Sequence, residues 1–196
     1  MLLLLVPTGA LCSCGEDSSA DPCAGAATGV PSLEILGAPE EGGASTEPVV
    51  DGAPLALIHG PQSGFHVWMN LRIRGMCPSG VRIARRISNA ATGDVILAVG
   101  ERQTFTAAPG DAGAFQLGAA FPFFMCPQSL GYPVRDQLMR AEVQVTDASG
   151  RTASASVTML PTCSADVQGG VYLSDCLCMC AAGGTCMTGD AGSATD

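Results

Sequence analysis

Three groups of side chains in this sequence are of types that do chemistry. The two histidines, His59 and His66, flank a turn that contains Ser63. A serine hydroxyl beside an imidazole base is the nucleophile of acyl transfer, so this is the place to weigh hydrolase chemistry. The local sequence, Gly60-Pro61-Gln62-Ser63-Gly64, lacks the Gly-x-Ser-x-Gly elbow, and no strand–turn–helix pattern surrounds it. A tight turn between two strands is the expectation here. The adjacent carboxylates Glu40 and Glu41 lie in flexible sequence, which holds no fixed separation for acid–base cleavage. Gly42-Gly43 and Gly183-Gly184 lack the strand and helix of a phosphate-cradling loop. We expect a protein without catalytic activity and without a cofactor.

The second group is sulfur. Cysteines stand at 12, 14, 23, 77, 126, 163, 176, 178, 180 and 186. Cys176, Cys178, Cys180 and Cys186, with Met179 and Met187, offer soft ligands suited to Cu(I) or Zn(II). The spacing lacks the paired Cys-x-x-Cys knuckles of structural zinc sites, and thiolate ligands need a reducing compartment. Disulfides are therefore the expectation, with a periplasmic copper- or zinc-binding protein as the alternative. Cys77 and Cys126 occur in matching Met-Cys-Pro contexts, each where a strand gives way to a loop, and are expected to pair. Cys176, Cys178 and Cys180, two apart in a segment read as extended, point to one side and should each find a partner among Cys23, Cys163 and Cys186.

The third group is cationic and aromatic. Six of the nine arginines fall between Arg72 and Arg102. His66, Trp68, Arg72 and Arg74 share one parity along a strand and are the candidate ligand-binding residues. An exposed indole beside guanidinium groups suits an acidic glycan or a protein loop. The competing expectation puts Trp68 in the core and pairs the arginines with an acidic leader.

The elements that would position these groups are strands. Apolar and polar residues alternate from Phe65 to Arg74, with Val67, Met69, Leu71 and Ile73 on one side. The same period of two runs through Leu33–Leu36, Pro54–His59, Val81–Ile87, Asp94–Val99, Ala114–Phe121, Ala141–Val145 and Ala153–Met159. Turn residues separate them at short intervals. Only residues 134–141 have room for a turn or two of helix. Many short strands and almost no helix predict an all-β domain, a two-sheet sandwich or a barrel.

Composition narrows the function classes. The chain has 196 residues, 25 of them Gly and 13 Pro, and 14% charged residues, which does not suit a coiled coil or helix bundle. All nine basic residues are Arg, and 18 acidic residues bring the net charge to −9, against any general affinity for nucleic acid. No apolar run is long enough for a spanning helix.

At the start, Met1 precedes the apolar run Leu2–Val6, followed by Pro7-Thr8-Gly9-Ala10-Leu11-Cys12-Ser13-Cys14. This is a secretory-signal pattern, with a short core and no basic n-region, so translation is expected to begin upstream of Met1. Leu11-Cys12-Ser13-Cys14 resembles the lipobox of bacterial lipoproteins, and the resemblance implies lipidation of Cys14. Gly15 then occupies the position where Asp would signal inner-membrane retention, so the implied address is the cell envelope at the outer membrane. Removing Cys12 and lipidating Cys14 leaves eight cysteines, an even set that fits four disulfides. Residues 16–51 hold eight acidic side chains and no basic one, a solvated leader. Gly15 to Pro31 reads as a flexible tether spanning about 20–25 Å.

The segment Val143-Gln144-Val145-Thr146-Asp147-Ala148-Ser149-Gly150-Arg151-Thr152-Ala153 is similar to the last hairpin of bacterial immunoglobulin-like domains. That resemblance implies a two-sheet antiparallel sandwich of about 7–9 strands with a disulfide-rich C-terminal tail. The expected organisation is a signal peptide at 1–13, a lipidated tether at 14–31, a β-sandwich at 32–162 and a Cys-rich tail at 163–196. Taken together these features resemble small surface lipoproteins of GC-rich Gram-negative bacteria. The expected partners are the membrane, through the lipid, and a protein or glycan at the envelope.

Overall fold

The computed structural model describes residues 23, 25–26, 28–38, 47–60, 63–127, 132–181 and 186. The expected signal peptide and Cys14 lie outside them. Within them the chain is all-β, with two sheets and one short helix. No described helix is long and apolar enough to cross a membrane.

The first sheet is organised around β4 (Phe65–Arg74), the segment whose alternation is longest in the sequence. Antiparallel to it run β1 (Ser32–Ala38), β3 (Ile58–His59), β8 (Ala114–Leu117) and β9 (Phe121–Cys126), and β7 (Phe105–Ala107) pairs with β8. The second sheet has the order β2 (Ala53–Ala56), β11 (Thr152–Thr162), β10 (Met139–Thr146), β5 (Val81–Asn89) and β6 (Val95–Gln103). All its pairs are antiparallel except β2 with β11. The β10–β11 hairpin turns at Asp147–Gly150, where the sequence placed its turn.

One apolar core joins the two sheets. Val67, Met69, Leu71 and Ile73 of β4 meet Ile83 and Ile87 of β5, Val143 and Val145 of β10, and Met159 of β11. All of these inward residues are nearly or completely buried. At about 1.5–3 kcal/mol for each large aliphatic side chain withdrawn from water, this core is the main source of stability.

Two sequence expectations need correction, and one strand was not foreseen. The stretch expected to run as one strand from Ala114 to Phe121 is two, β8 and β9, and β9 continues through Pro122. Proline is tolerated there because β9 pairs only with β4 and its outer edge needs no N–H donor. Strand β7, three residues long, carries too little pattern to be read. Residues 134–141 form no helix: from Met139 onward they are β10. The helix is α1 (Leu173–Met179), inside the Cys-rich tail.

Candidate functional site

The strand β4 carries His66, Trp68, Arg72 and Arg74 on one face, as the alternation requires. The structure does not leave that face open. Trp68 is 5% exposed and packs with Ile58 and Ala120, with Ala38, Ala56 and Val167 beside them. His66 is 6% exposed and meets Phe124 edge-on at 5.3 Å. Its imidazole lies so close to Gly60 that a Cβ there would come within 2.4 Å, and a Cβ on Gly64 would come within 2.3 Å of Phe124. These two glycines let the turn close over the strand. Asn70, next on the same face, is also buried; its amide donates to the Leu117 carbonyl and accepts from Leu71 N–H. The reading of Trp68 as an exposed binding residue is therefore corrected: it belongs to a second, smaller apolar cluster behind the first sheet. In the purified protein its fluorescence should be blue-shifted and poorly quenched by iodide, and a red-shifted, readily quenched indole would contradict this burial.

Cover ends where charge begins. Arg72 reaches Glu34 of β1 at 3.3 Å and Asp111 at 3.8 Å, and Arg74 bonds Asp111 directly. The Arg74 hydrogen bond, aided by the nearby guanidinium charges, holds the Asp111 carboxyl below the usual carboxylate range. These arginines are thus tied to the strand edge and the 108–113 turn. His66, Trp68, Arg72 and Arg74 share a line, but not a site.

Ser63 sits at φ 58° in the turn and donates its backbone N–H to the Gly60 carbonyl. Its side chain bonds neither histidine. His59 instead stacks on Tyr172 of the tail at 4.0 Å between ring centres, with 6° between planes. Gln168 completes that junction: its amide oxygen accepts from His59 N–H and its NH2 donates to the His59 carbonyl. A side-chain amide here does the work of a neighbouring strand.

Sequence reasoning overlooked Arg85. Along β5 the inward positions are 81, 83, 85 and 87, and an arginine interrupts the apolar series. Its guanidinium lies 4.4 Å from the Phe121 ring centre and 5.1 Å from that of Phe123. It donates to the Pro122 carbonyl at 3.0 Å and pairs with Glu101 at 3.0 Å. Burial pushes its pKa down, while the Glu101 charge opposes the shift. The signal in the sequence was the charged residue at an inward position.

All eight described cysteines are in disulfides: Cys23–Cys77, Cys126–Cys180, Cys163–Cys176 and Cys178–Cys186. The expected Cys77–Cys126 bond is not made. Cys126 stands opposite Phe65 at the start of β4, whereas Cys77 follows its far end. Ten residues of strand separate the two by about 30 Å, and a disulfide spans only about 4.4–6.8 Å between Cα atoms. The tail trio is also not extended. Cys176 on α1 and Cys180 at its C-terminal cap are four apart and both buried, while Cys178 points elsewhere to Cys186. The Cys163, Cys176 and Cys180 sulfurs approach within 4.8 Å because two disulfides meet there. Bonded sulfur is not a thiolate ligand, so this grouping owes its closeness to covalent bonds.

The chain matches no protein-family model and no curated protein in sequence.

Proposed function

We propose that this chain is an exported lipoprotein, anchored at the envelope through Cys14, whose domain is an immunoglobulin-like β-sandwich serving as a non-catalytic display or binding module. The observation that carries this reading is the pairing of every cysteine downstream of Cys14. Four disulfides in a domain of this size suit an oxidising compartment, and the eight cysteines they use are those left when Cys12 is removed and Cys14 is lipidated. The two-sheet architecture and the β10–β11 hairpin support the immunoglobulin-like assignment. The ligand would be a protein or glycan of the envelope.

Mass spectrometry of the intact chain recovered from a Gram-negative host tests this. The expected product begins at Cys14, carries acyl chains, gains eight protons on reduction and binds no stoichiometric metal. Cys14→Ser should abolish the acyl mass and release the chain from the membrane fraction. A chain with reduced thiols holding copper or zinc would replace this reading with the metal-binding one. An unacylated Cys14 would remove the anchor.

A further inference from the structure

Arginine is scarce here, and the fold uses nearly all of it internally. Arg72 and Arg74 share Asp111, Arg85 has Glu101, Arg86 has Glu142 and Arg135 has Asp136. Arg140 lies within the field of Asp51, and Arg151 donates to the Gly29 carbonyl. Arg82 and Arg102 differ: among the described residues neither has an ion pair or a side-chain hydrogen bond. They stand directly opposite each other on β5 and β6, both exposed, on the outer face of the second sheet. Like charges placed opposite across two strands repel, which disfavours the free protein. That arrangement is the more notable in a chain with 18 acidic residues to supply partners.

Both arginines line a cleft of about 590 Å³. The row continues into Thr146 of β10, and Ser79 adds a second hydroxyl to the wall. Among the described residues the one carboxylate on that wall is Asp147, and it is committed elsewhere. It accepts from Cys77 N–H, Ser149 N–H, the Ser149 hydroxyl and Arg151 N–H. The wall is braced by the Cys23–Cys77 disulfide, since Cys23 also faces the cleft.

We propose that this cleft binds a dianionic phosphate ester on a sugar-sized body, with Arg82 and Arg102 as a paired clamp. Two guanidinium groups match the charge of about −2 on a phosphomonoester at neutral pH, and their planar N–H forks suit its oxygens. A single carboxylate would leave one cation unmatched. The cleft is within the range of small-molecule sites and larger than a lone anion needs, so it has room for the body that carries the phosphate. The proposal rests on the reading of the domain as a binding module and names that module's ligand class.

Titration calorimetry of the oxidised, folded protein with inorganic phosphate and with a hexose 6-phosphate, against chloride at matched ionic strength, is the test. The ester is expected to bind more tightly than inorganic phosphate. Arg82→Gln and Arg102→Gln should each weaken it by about tenfold, as loss of a charged hydrogen-bonding partner does. The double variant should abolish binding, and Arg86→Gln, on the same face, should leave it unchanged. Each of the first two variants should also melt at or above the parent temperature without ligand, because repulsion is relieved. Failure of both probes to bind, or an unaltered affinity in the double variant, overturns the site. Equal affinity for the two probes reduces the ligand to free phosphate and overturns the ester. None of these failures touches the anchored-module reading, which falls only on the mass measurement.

Discussion

Replacing Cys126 and Cys180 together by alanine is expected to lower stability by about 4 kcal/mol, the loop-closure entropy of a bond across 54 residues. That is a large part of the net stability of an ordinary domain. The bond ties the end of β9 to the end of α1, and the Cys180 carbonyl also accepts from Val134 and Arg135 N–H. Loss of the bridge should therefore loosen that loop along with the tail. Denaturant unfolding of the double variant measures the effect. Removing Cys178–Cys186, which closes only 8 residues, should cost less, about 2.5 kcal/mol by the same relation. If the two double variants were equally stable, the long bridge would not be holding the tail to the sheets.

The second large effect centres on Asp147. Its carboxylate links the β10–β11 turn to Cys77 N–H, 70 residues away. Asp147→Ala should cost about 3 kcal/mol, because a buried amide and the turn donors lose their acceptor together. The same group sets an acid response. Burial opposes its ionisation, but the bonds from the Ser149 hydroxyl and from the Cys77, Arg151 and Ser149 amides outweigh that and hold its pKa below 3.8. A folded pKa below the unfolded one means stability is fully present above about pH 4 and is lost as pH falls through the folded value. Asp147→Asn should flatten part of that fall, leaving the shares of Asp51 and Asp111, whose pKa values are also lowered. Unfolding midpoints measured between about pH 2 and 6 decide it: an unchanged acid slope in the variant would mean the carboxylate is not the link.

Much of the architecture is legible in the chain because alternation is a local signal. β4 begins and ends where its pattern does, and the β10–β11 hairpin turns where Asp147-Ala148-Ser149-Gly150 dictates. What alternation does not reveal is whether a sheet's second face is covered. On β4 the clue lay in residue types: positions 66, 68 and 70 are His, Trp and Asn, polar but without a fixed charge, and true charge starts only at Arg72. Helix α1 was hidden for a related reason. The spacing of Cys176, Cys178 and Cys180 suggests a strand, yet Leu173, Cys176 and Cys180 fall at helical intervals on one side. Disulfide partners are the least legible feature, because matching contexts at 77 and 126 say nothing about which end of a ten-residue strand each occupies. The arginines followed the same divide. Sequence grouped Arg72 and Arg74 with Trp68, but which arginines keep a carboxylate depends on cross-strand register, and register is a property of the whole sheet.

The Cys23–Cys77 bond has a mechanical consequence. Cys77 lies three residues past the end of β4, which pairs with β1, β3, β8 and β9. A pull applied to the polypeptide ahead of Cys23 passes through sulfur into the residues beside that central strand. Strand β1, next along the backbone, is shielded from being peeled off its neighbour. Under tension the load path thus enters the molecule beside the strand that pairs with the most neighbours, and a reductant would redirect it to β1, whose only strand partner among the described residues is β4.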